Sequence, residues 1–62
     1  MKNAETALPV LADELSRSCN SLGELLAACD MCARQHRLTR DQRELLRERA
    51  EIAFRLRLAA AG

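Results

Sequence analysis

β-Branched and aromatic residues are almost missing from this chain: Val10, Ile52, Thr6, Thr39 and Phe54 are the whole set in 62 residues. Such residues are the ones that suit a pleated, half-buried surface, so a sheet is effectively excluded. Ala, Leu, Arg and Glu, all good helix formers, fill 37 positions instead. The sequence therefore predicts an all-α protein, and its length leaves room for one small domain over residues 1–62. The core of that domain is thin. Of 30 apolar residues, 11 are Ala and 3 are Cys, which leaves 11 Leu, 2 Met and single Val, Ile and Phe residues as large core formers. A chain this short usually needs a staple, a metal or a second chain to offset an ordering entropy of about 1.5 kcal/mol per residue.

Helix boundaries can be read from side-chain chemistry. Pro9 suits the first turn of a helix and is followed by Asp13 and Glu14, with Leu8, Leu11, Ala12, Leu15 and Cys19 repeating at spacings of three and four. A helix near 8–19 follows, and residues 1–6 are expected to be disordered. Ser21 and Glu24 have the S-x-x-E spacing of a capping box inside a polar run, which favours a break and a helix near 22–37. The apolar stripe nevertheless continues in step through Leu22, Leu25, Leu26, Cys29, Cys32 or Ala33, and His36, so one helix or two over residues 8–37 stays open. Thr39 and Gln42 form a second box, T-x-x-Q, with Asp41 at the positive end of the helix it opens. A tight turn around 37–39 and a last helix near 40–60 are predicted, the last two helices forming an antiparallel hairpin completed as a bundle by dimerisation or by a partner.

On the last helix, at about 100° per residue, Leu45, Ile52, Leu56 and Ala59 share a face, with Leu46, Ala53 and Ala60 alongside. That face is predicted to pack on the preceding helix. Phe54 and Leu58 then fall on nearly the opposite side, in line with Arg47 and between Arg43 and Glu51, where a lone hairpin would leave them in water. Arg43, Arg47, Phe54 and Leu58 are accordingly the predicted partner-binding residues, the partner being another protein or a second copy of the chain.

Other chemistries have weaker support. Cys29, Cys32 and His36 lie within about 60° of arc on a helix and could chelate a soft metal, yet they supply three ligands, and the competing reading makes every cysteine a small buried hydrophobe. Neither a metal nor any other cofactor is expected. Net charge is +1, but residues 1–33 carry −3 and residues 34–62 carry +4, the second half holding eight Arg. These interleave with Glu at i, i+4 spacing in Arg40–Glu44, Arg47–Glu51 and Glu51–Arg55, which neutralises much of the charge, and one aromatic residue makes no stacking platform. The sequence thus argues against nucleic acid. With one His and no Gly-rich loop it also lacks a nucleophile–base–orienter set, so no catalytic residues are assigned and no enzyme is expected. The longest apolar run, residues 7–12, is too short to span a membrane, and a cytoplasmic location is expected.

The helical lead, the helix Leu22 to Arg37, the polar turn, and the run Thr39-Arg40-Asp41-Gln42-Arg43-Glu44-Leu45-Leu46 continuing into Ala50-Glu51-Ile52-Ala53-Phe54-Arg55-Leu56 give a layout that resembles the small bacterial co-chaperones of type III secretion needle subunits. The resemblance implies a helical hairpin that helps keep an aggregation-prone protein monomeric, with Phe54, Leu58 and the hairpin faces in contact. The expected function is a non-enzymatic protein-interaction module, a small chaperone or adaptor. The alternatives are a homodimeric regulator, acting as an inhibitor or on RNA or DNA, and a metal-binding helical protein using Cys29, Cys32 and His36.

Overall fold

Capping side chains divide the chain where the sequence places them. In the computed structural model, which describes residues 4–61, the chain forms α1 (Ala4–Ser18), α2 (Leu22–Gln35) and α3 (Arg40–Ala61), with no strand among the described residues. Helix α1 starts about one turn ahead of the predicted position. Residues 4–6 therefore belong to it, and residues 1–3 of the segment expected to be disordered lie outside the described residues. Pro9 sits inside the helix instead of in its first turn, and its missing N–H removes one i→i−4 rung.

Residues 8–37 form two helices, not one. Ser21 adopts an extended conformation (φ −143°, ψ 160°), and its Oγ accepts a 3.2 Å hydrogen bond from the Glu24 N–H. The Glu24 carboxylate reaches back to accept from the Asn20 N–H at 2.8 Å, so one N–H of the first turn of α2 and one just ahead of its N-cap are satisfied by one short motif. The box at α3 is fully reciprocal: the Gln42 N–H donates to Thr39 Oγ1 at 3.1 Å and the Thr39 N–H donates to Gln42 Oε1 at 2.9 Å.

Between these caps α2 ends in a Schellman turn. The Leu38 N–H donates to the Ala33 carbonyl (2.9 Å) and the Arg37 N–H to the Arg34 carbonyl (3.2 Å), while the Leu38 and Ala33 side chains are both buried. Arg37 carries the left-handed backbone this turn requires (φ 54°), a position where glycine is the usual occupant and any other L-residue costs about 1 kcal/mol.

All three helices pack together, α3 more extensively along α1 than along α2. At about 1.5 Å per residue α3 is some 33 Å long and sets the long axis of a 39 × 19 × 16 Å molecule. One core cluster joins Leu8, Ala12 and Cys19 to Leu25, Cys29, Cys32, Ala33 and Leu38, and to Leu46, Ala50 and Phe54 of α3. Six of these eleven residues are Ala or Cys, so backbones can approach closely and few large side chains are needed to close the interior. Ser16 is fully buried as well, its hydroxyl satisfied by donating to the Asp13 carbonyl at 2.7 Å.

The face that α3 turns inward differs from the predicted one. Leu46, which the prediction placed alongside its packing face, is buried, but together with Ala50 and Phe54, whereas Leu45, Ile52 and Leu56 stand 44%, 54% and 65% exposed. Helix α3 is thus rotated by about 120° from the orientation that a two-helix seam would favour. The physical reason is the third helix. With α1 also lying along α3, the inner side must seat two neighbours, and Phe54 brings to it the one aromatic ring of α3. Arg57, on the same side, donates from Nη1 to the Ser16 carbonyl in the last turn of α1, where a cation meets the negative end of the helix dipole.

Candidate functional site

The four residues predicted to bind a partner do not form one surface. Phe54 is only 4% exposed and belongs to the chain's own core, which corrects the expectation that it lies in water. Leu58 is 56% exposed, and Arg47 is exposed too. Arg43 is exposed but leans across to Asp30 of α2, with Nη1 at 3.9 Å from the carboxylate, which Arg34 also holds at 3.1 Å.

A different surface stands open. Leu45, Ile52 and Leu56 recur along the outer side of α3 at spacings of seven and four, so their side chains lie in one line, and exposed Ala59 continues it. Glu48 and Arg55 border this stripe on one side and Arg49 on the other, all three exposed. Arg55 Nη2 lies 2.9 Å from Glu51 of its own helix; of the three predicted i, i+4 pairs on α3 it is the one that forms, Arg40–Glu44 and Arg47–Glu51 being absent from the ion pairs among the described residues. The stripe is visible in the sequence, where it reads as core, because a run at seven-residue spacing is what a packed helix shows.

The cysteines lie where a small hydrophobe would. Cys19, Cys29 and Cys32 are all buried free thiols. Burial pushes the Cys29 thiol up to about 11, the neighbouring Cys32 and Cys19 thiols add to the effect, and the Arg47 guanidinium partly opposes it. Cys32 is raised by burial as well. Such thiols stay protonated at neutral pH and are poor ligands and poor nucleophiles. His36, the third member of the candidate metal set, is exposed at the end of α2, and no three His, Cys, Asp or Glu side chains among the described residues are grouped to hold a metal ion. Helix α2 turns Cys29 and Cys32 inward and leaves His36 outward, so these three side chains do not converge on one point.

A shallow depression of about 350 Å³ is lined by Glu44, Arg47, Glu48 and Glu51, all from α3. Residues of a single helix give no facing wall, so the depression offers no enclosure for a reacting group. No helix among the described residues is long and apolar enough to cross a membrane. Comparison with known proteins adds nothing to this geometry: no protein-family model, curated protein or solved structure matches the chain.

Proposed function

We propose that the chain is a non-enzymatic helical protein-interaction module whose binding face is the outer side of α3. The observation that carries this reading is the distribution of large apolar side chains. Among the described residues seven of them, Val10, Leu26, Met31, Leu45, Ile52, Leu56 and Leu58, are exposed, against five in the core cluster. Scattered singly they would mean little, but three are aligned on one helix face in a chain with few large hydrophobes to spare. Leaving that line in water forgoes about 1 kcal/mol per half-exposed Leu or Ile, which association recovers.

The face belongs to a bundle in which α2 and α3 act as the antiparallel hairpin and α1 completes the interior; the approach of Arg43 to Asp30 supports that arrangement. A chaperone or adaptor role, as the needle-subunit co-chaperone layout implies, is one form of this reading, with Leu45, Ile52 and Leu56 taking the place of Phe54. Arginine usage favours protein over nucleic acid as the partner. Arg17, Arg34, Arg43 and Arg55 are paired with carboxylates of the same chain, and Arg57 is spent on the Ser16 carbonyl. A phosphate backbone would have to compete for them.

The test is a photo-crosslinking amino acid placed at Ile52 or Leu56 in cells that make the protein, with Ser18 and Gly23, exposed on other helices, as controls. Adducts to a second polypeptide are expected at the two α3 positions and not at the controls. If Ile52 and Leu56 give no adduct, the face binds no protein and the reading fails.

A further inference from the structure

We infer that the occupant of this face is a second copy of the chain, lying with its α3 antiparallel to the first and with Glu48 of each copy opposite Arg55 of the other. The inference rests on the protein-binding reading above and adds the identity and direction of the partner.

The face is suited to itself. From Leu45 to Ala59 the stripe runs about 21 Å, with Ile52 at its middle, so a two-fold axis beside Ile52 lays each apolar line over its twin. In an antiparallel helix pair a given rim of one helix faces the same rim of the other. Glu48 and Arg55 share a rim and stand almost equally far from Ile52, one before it and one after. Antiparallel pairing therefore sets a carboxylate against a guanidinium twice per dimer, and the Arg55 fork has donors to spare beyond its contact with Glu51. Arg49, on the other rim, is displaced from its own twin by about six residues and meets no like charge directly.

Parallel pairing fits less well. Asp41 is exposed and lies in line with the stripe, so in-register parallel helices would bring two Asp41 carboxylates together at one end. They would also bring Arg55 of both copies to the same level at the other end, a stretch of α3 with no acid after Glu51. The same acids, Asp41 and Glu48, count against an anionic lipid surface as the occupant.

Sedimentation of the full chain over a concentration series tests the proposal. The wild-type chain is expected to form a dimer, and Ile52→Asp to weaken it at least tenfold with helicity retained by circular dichroism. Glu48→Arg and Arg55→Glu should each weaken self-association by roughly tenfold, since each turns two attractive contacts into two repulsive ones. An equimolar mixture of those two variants should recover wild-type affinity. In their antiparallel heterodimer the two replaced side chains face each other at one contact with their signs exchanged, and the natural pair of Glu48 and Arg55 meets at the other, so both contacts are attractive.

Recovery in the mixture cannot arise from a helix that fails to fold, nor from parallel pairing, in which residue 48 meets Arg49. Wild-type chain that stays single up to about 1 mM overturns self-pairing. If the Ile52 adduct to a different polypeptide persists in that case, the protein-binding face stands and only its occupant changes. A dimer untouched by Ile52→Asp, or single variants that weaken without recovery on mixing, overturns this interface or its direction respectively.

Discussion

The two sides of α3 use almost the same residue types to opposite ends. Leu46, Ala50 and Phe54 repeat every four residues and disappear into the bundle; Leu45, Ile52 and Leu56 repeat at seven and four and stay in water. The outer line has the greater number of large aliphatic side chains. What selects the inner one is the company it keeps: Ala50 leaves room for close backbones, Phe54 brings one large ring, and Arg57 reaches the end of α1. Periodicity identifies the sides of a helix, and the neighbours decide which side goes in.

Substitutions should separate the two sides sharply. Phe54→Ala is expected to cost about 3–5 kcal/mol, enough to unfold much of so small a domain, and urea titration followed by circular dichroism measures it. A loss below about 1 kcal/mol would mean that Phe54 is not the keystone of the inner side. The next largest effect comes from pH. The Cys29 thiol is raised from 9.0 to about 11 in the folded chain, so between those values the unfolded state has released its proton and the folded state has not. Stability is therefore complete below about pH 9 and should fall by roughly 2 kcal/mol as pH rises to 11, a slope that Cys29→Ala reduces to the part contributed by Cys32, whose thiol is also raised by burial. The chain has no Tyr and a single Lys, Lys2, so few other groups obscure the measurement.

Smaller effects sharpen the same contrast. Arg57→Ala should cost about 1 kcal/mol by withdrawing a cation from the last turn of α1, and the loss should shrink when arginine is replaced by lysine. On the outer side, Ile52→Lys should change stability by less than about 0.5 kcal/mol, measured on dilute protein so that association does not contribute. An outer-side variant that unfolds the dilute chain would erase the distinction between the two sides.

Much of the architecture was legible in local chemistry. Ser21 with Glu24 and Thr39 with Gln42 cap α2 and α3 because a side-chain oxygen three residues from an orphan N–H acts within one turn and needs no tertiary partner. The α1 stripe of Leu8 and Ala12, the burial of Cys19 just past its end, and that of Cys29 and Cys32 followed from spacing alone. The face of α3 did not follow. Its two apolar lines differ by the presence of Arg49 and Glu48 beside one and Arg57 beside the other, and only a helix some 40 residues away in sequence gives Arg57 a reason to lie inward. Phe54 was misplaced for the same cause: a hairpin that omits α1 puts it at the surface, and in the three-helix bundle it is buried. The early start of α1 was hidden by Pro9, which reads as a beginning and here sits inside the helix.

That α1 leans mainly on α3 also has a consequence in time. Helix α1 finds its principal support in α3, the later of its two neighbours along the chain, so its docking must wait until α3 has been made, and its 15 residues are too few to hold a helix alone. The contact that closes the bundle is thus the one between the two helices farthest apart in sequence, and the order of synthesis sets it last.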